Sequence, residues 1–193
     1  MRFSTVAVFL GLTASSLAAP VMDLPTGMTK RANSTSSNSN AAAAGGSVLT
    51  AQSYADFQIS DGVAGNALAE VNQKFPISNQ DPAQVSDADA EIISNAREVA
   101  EDAETGTGGF NDQIAAAGED TDAGKALQVG KIKNKVLKLQ LEIMDLQIKQ
   151  AQGDDQTAKI AEEQTKLQSN IDQDTEAAGQ TSQSVADTFK ESN

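Results

Sequence analysis

A chain of 193 residues with 39% hydrophobic content is long enough for one domain, yet it contains no Cys, no His, no Trp and a single Tyr. Its 14 basic and 27 acidic residues give a formal charge of -13, which repels nucleic-acid phosphates and anionic lipid. Disulfide scaffolds, thiol or imidazole catalysis and the commonest transition-metal sites are thereby excluded, and what is left is a thin aliphatic core.

The first predicted element is a signal peptide over residues 1–18. MRFSTVAVFLGLTASSLAAP opens with Arg2, runs apolar from Val6 to Leu12, and places the small residues Ser16 and Ala18 at signal-peptidase spacing. A membrane anchor needs roughly 18 apolar residues, and Thr13, Ser15 and Ser16 interrupt this run. No later segment qualifies, so no stable membrane insertion is expected. Residues 19–31 read as a propeptide ending in the dibasic pair Lys30-Arg31, which lies in an accessible stretch and suits a kexin-type processing protease. Cleavage there removes Arg2, Lys30, Arg31 and Asp23, leaving 11 basic and 26 acidic residues and a charge of -15. Residues 32–46, ANSTSSNSNAAAAGG, are polar and low in complexity, with too little apolar surface to offset the entropy of ordering them. They read as a disordered linker, and Asn33-Ser34-Thr35 within it is the only N-glycosylation sequon.

Residues 47–180 read as the helical domain and 181–193 as a C-terminal tail. Thr50 and Asp61 are the expected N-caps of a first helical stretch, with Tyr54, Phe57, Val63, Leu68, Val71 and Phe75 for its buried face and Pro76 closing it. SDADAEIISNAREVAEDAETGTGG then begins a helix at Ser86 or Asp87, sets acids in the first turn where the dipole favours them, and ends at Gly106. FNDQIAAAG supplies a short further helix.

From about Asp122 to Gln152 the periodicity is strong. At about 100° per residue, Leu127, Ile132, Val136, Leu139, Ile143 and Leu146 fall mostly at 3/4 spacing on one stripe. Leu137, Leu141, Met144, Ile148 and Ala151 form a second stripe, roughly 140° away by the same rotation. A surface helix shows one stripe, so two place this helix at the centre of a bundle. After a break at Gly153-Asp154, Ile160, Leu167 and Ile171 resume the pattern, and the short break predicts an antiparallel hairpin. The expected fold is therefore all-α: a small helical bundle with a long C-terminal antiparallel helical hairpin, preceded by a signal peptide and disordered tail. The second helix of the hairpin should cover one stripe and residues 50–105 the other. If a stripe is left partly open it is the second, where Met144 adapts to variable surfaces. Leu141, Met144 and Ile148 are then one part of a candidate partner surface, for another protein or for a homodimer. Lys131, Lys133, Lys135 and Lys138, the one basic cluster, are the other part; they either meet an anionic partner or neutralise acids of the bundle itself.

No residues point to catalysis. Paired carboxylates could hydrolyse a glycoside, but one Tyr and no Trp leave little for a sugar to stack on, and solvated helix faces account for the acids. Asp87, Asp89, Glu91 and Glu98 match positions 1, 3, 5 and 12 of a calcium loop, yet Ile92 stands where that loop needs Gly. The expectation is a non-enzymatic chain with no cofactor and no metal.

ADFQISDGVAGNALAEV, ALQVGKIKNKVLKLQLEI and KIAEEQTKL, together with the signal and the Lys-Arg ending, resemble a group of cysteine-free small secreted proteins of filamentous ascomycete fungi. The resemblance spans residues 1 to about 180 and carries no catalytic motif. It implies a secreted, extracellular fungal protein, with candidate effector status for some members from host-associated species; association with the cell wall is a separate reading that the glycosylatable tail and acidic surface would suit. Three function classes follow: an interaction protein binding a host or extracellular partner, a structural or surface-coating protein of the wall, and an apolar-ligand carrier whose opened bundle would line a cavity with Met144, Leu141 and Phe75.

Overall fold

The computed structural model describes residues 46–191. The segments read as a signal peptide and as a propeptide with Lys30 and Arg31, and Asn33, lie outside them. From the N-terminal side come an extended strap up to Ser53, α1 (Tyr54–Phe57), β1 (Gly62–Val63), α2 (Ala67–Lys74), a single 3-10 turn (Pro82–Gln84) and α3 (Asp87–Thr105). They are followed by α4 (Phe110–Ala117), α5 (Asp122–Ala151), α6 (Thr157–Glu176) and β2 (Thr181–Ser182). The fold is all-α apart from the two short strands. None of the described helices is long and apolar enough to cross a membrane.

Local chemistry explains the long helices. Ser86 caps α3 by accepting from the Asp89 amide at 3.1 Å, and Thr121 caps α5 by accepting from Gly124 at 3.0 Å. Gly153, at φ +111°, turns the chain between α5 and α6. The 30-residue α5 packs against α2, α3, α4 and α6 and is the central element its two stripes predict. On the first stripe Leu127, Val136, Leu139, Ile143 and Leu146 are buried and Ile132 is half-buried; on the second only Ala151 is exposed.

Before α3 the structure departs from the sequence reading. Thr50 and Asp61 cap nothing: residues around Thr50 are extended, and Asp61 precedes Gly62, whose φ of +88° leads into strand pairing instead of helix. Helix α2 starts later, at Ala67, and it is capped from a distance. Asp174 on α6 accepts from the Gly65 and Ala67 amides at 3.0 and 2.9 Å, so a carboxylate distant in sequence neutralises the N-terminal donors that Asn66 leaves free.

Residues 181–193 were expected to be a tail, and the described part of them belongs to the core. β2 pairs antiparallel with β1, Gly62 opposite Ser182 and Val63 opposite Thr181. Val185 and Phe189 are buried, and the Phe189 ring meets Tyr54 edge-on at 5.4 Å. Two isolated apolar residues carry no periodicity, so the sequence pattern stops before the domain does.

Candidate functional site

The expected partner surface is closed. Leu141 is fully buried, and Met144 and Ile148 lie against Ile77, Pro82 and Val85 around a recess of about 20 Å³. The 3-10 turn and its flanks thus cover the second stripe, and the argument for a dimer through it lapses.

The lysines are engaged within the bundle. Lys131 and Lys135 both reach Glu104 at 3.4 Å, and Lys138 reaches Glu101 at 3.1 Å. Lys133 is buried outright, its ammonium held by Glu70 at 2.8 Å and by the Asp61 and Val63 carbonyls at 3.1 Å. It ties β1 to α5 and cannot meet a partner. Beside it, Asn134 accepts from the Tyr54 hydroxyl at 2.9 Å and donates to the Ala100 carbonyl at 2.8 Å. Burial pushes the Tyr54 phenol above its ordinary pKa, so it is a neutral donor. A lone Asn on an apolar helix gives no sequence signal for this role.

A different site is present on the N-terminal side. The strap runs across α3 and is pinned there by Asp89, whose carboxylate accepts from the Ser47 hydroxyl at 2.7 Å, the Leu49 amide at 2.9 Å and the Val48 amide at 3.1 Å. Burial alone would raise the Asp89 pKa, but the bonds from Ser47, Leu49 and Val48 outweigh it and hold the carboxyl below the ordinary aspartate value. Between strap, α3 and the C-terminal end of α2 lies a groove of about 260 Å³. Leu49, Phe57, Phe75, Ile92 and Val99 supply its apolar walls, and Gln52, Gln73, Asn95 and Lys74 its polar side chains. Phe57 and Phe75 are fixed edge to face at 5.9 Å. Val48, 54% exposed, stands at its margin.

Sequence reasoning assigned Asp89 to a first helical turn and Phe75 to a core or a central cavity. The groove itself was not legible. It exists because an extended segment crosses a helix distant in sequence, and the available signal was only the lack of helical periodicity in residues 47–53.

The family described as Domain of unknown function (DUF8454) matches residues 49–186. The chain belongs to that family. Its span begins within the strap at Leu49 and runs past β2 to Ala186, so the family's extent includes all of the groove's lining except Val48 and the first six residues of the segment read as a tail. No curated protein and no solved structure matches the chain.

The strap clamp has a testable consequence. Asp89→Asn keeps the shape but removes the charge and replaces one of the two acceptor oxygens by an NH2 group, which at the Oδ2 position opposes the Val48 amide, costing about 1–3 kcal/mol. Faster hydrogen exchange at Val48 and Leu49 with an intact helical spectrum is the expected result. Because the folded pKa is depressed, the clamp's contribution is complete above the unfolded value of about 3.9 and is lost as pH falls through the lower folded value. In the wild type, the protection of the strap amides relative to their intrinsic exchange rates should therefore fall only in acid below about pH 4.

Proposed function

We propose that the protein is a secreted, non-enzymatic binding protein that captures an extracellular partner in the groove beneath its strap. The observation that carries this reading is the groove: an apolar recess with polar groups at fixed positions, the usual form of a ligand site. The signal sequence, the Lys30-Arg31 pair and the resemblance to small secreted fungal proteins support secretion. A composition without His or Cys supports binding over catalysis. The carrier reading keeps only Phe75 at this site, because Leu141 and Met144, expected to line its cavity, are buried elsewhere in the bundle.

The test compares wild type with Asn95→Trp, which fills the groove from an exposed position on α3. Proteins and small molecules that co-purify from culture medium and host tissue are identified by mass spectrometry. A species retained by the wild type and absent from the folded variant is the expected outcome. Equal retention by both places recognition elsewhere. N-terminal sequencing of the same preparation should find Ala32; a start at Pro20 or Val21 removes the propeptide.

A further inference from the structure

We propose that the groove takes a small amphipathic carboxylate, with its apolar body on Leu49, Phe57, Phe75 and Ile92 and its charge at Lys74. This rests on the groove being the binding site. The first argument is the placement of charge. The chain has 27 acidic residues, yet none lines this groove. The other sizeable depressions all carry carboxylates: Glu119 in one, Asp172 and Glu176 in another, and Asp61 and Glu70 in a third, which adjoins the groove and shares Gln73 and Lys74 with it. An anion entering any of those meets like charge, and here it meets none.

The second argument is the cation. Lys131, Lys133, Lys135, Lys138, Lys149, Lys159 and Lys166 are each paired with a carboxylate. Among the described residues Lys74, Lys125 and Lys190 have no such pair, and of these three only Lys74 lines the groove; its ammonium donates to the Asp56 carbonyl at 2.6 Å, which leaves two N–H groups for an incoming oxygen. A neutral carbonyl holds the ammonium in position without cancelling its charge. The Gln52, Gln73 and Asn95 amides add neutral donors around the same recess.

The third argument is size. A volume of about 260 Å³ falls just below the ~300 Å³ at which sites for drug-sized ligands begin. It suits a body the length of octanoate and does not enclose a long acyl chain. The same chemistry is offered by a free carboxylic acid and by the apolar C-terminus of a peptide. We assign the free acid, because one ammonium beside apolar walls matches a single carboxylate on a short apolar tail, and the peptide terminus is an outcome of the test.

Calorimetric titration of the full-length protein with octanoate, octanol and the tripeptide Gly-Gly-Leu tests the assignment, with far-UV circular dichroism confirming that each variant is folded. Octanoate should bind about tenfold or more tighter than octanol, because a charge-assisted hydrogen bond replaces a neutral one. Lys74→Gln should erase that preference, and Asn95→Trp should abolish binding of both. Equal binding of octanol, an unchanged preference in Lys74→Gln, or binding of Gly-Gly-Leu alone overturns the free carboxylate. If octanoate fails while co-purifying species are still lost in Asn95→Trp, the ligand class is wrong and the groove stands. If that loss is also missing, the groove reading falls with it.

Discussion

Leu139→Asp is expected to unfold the helical domain. Leu139 is buried on the first stripe of α5, in a helix packed on several sides, so an aspartate there has no route to water. An uncompensated buried charge costs about 3–5 kcal/mol, and the lost aliphatic contact adds about 2 kcal/mol or more. Against a total stability of roughly 5–15 kcal/mol for a domain of ordinary size, this is enough to remove the folded state or bring it to the edge of melting. Loss of the helical circular dichroism signal at 25 °C is the measurement, and a native spectrum with an unchanged melting temperature would mean that α5 is not central. Lys138→Asp, one residue away, is the control. It removes the pair with Glu101 and adds a carboxylate beside Glu104, at a partly exposed position where such pairs are worth about 1 kcal/mol or less. The domain should stay folded and melt a few degrees lower.

Truncation after Gln180 is expected to destabilise the protein nearly as strongly. It removes the Val185 and Phe189 side chains, each worth about 1.5–3 kcal/mol when buried. With them go the β1 partner strand, the bond from the Thr188 hydroxyl to the Gly108 carbonyl at 2.9 Å, and the Glu191 carboxylate that accepts from the Tyr54 amide. Urea unfolding should show a midpoint lowered by at least half, and an unchanged midpoint would restore residues 181–193 to the status of a tail. Gly130→Ala tests the same contact without deletion. In an open helix interior the change stabilises by about 1 kcal/mol, but a Cβ at residue 130 would lie 2.0 Å from the Gln183 carbonyl oxygen. The C-terminal segment must shift, and the expected sign reverses to a loss of about 1–3 kcal/mol.

Much of the fold is legible in individual residues. Ser86 before DADAEIISN announces a helix start because a short side-chain oxygen satisfies amides within its own turn, and the structure places that cap there. The two stripes of α5 are readable because burial on two sides leaves a periodic trace in one continuous segment. The hairpin follows from a break too short for any other return. In each case the determining interaction lies within a few residues of the sequence that encodes it.

Where the determining contact is distant in sequence, the reading stops or goes wrong. Asp174 caps α2 across 107 residues, so the start of that helix is not visible near Asp61. Lys133 appears as one of four surface lysines, and only its place opposite Glu70 and β1 decides that it is buried and engaged. Val185 and Phe189 have no pattern of their own, and Asp89 looks like any acid in a first helical turn until the strap crosses it. The sequence alone determined the helical class, the central α5 and its hairpin, because helix periodicity and capping are local. Tertiary structure decided that both stripes are covered, that the chain's end is part of the core, and that a groove without acidic residues opens beneath residues 47–53, because each depends on long-range contacts that bring an irregular segment against a helix.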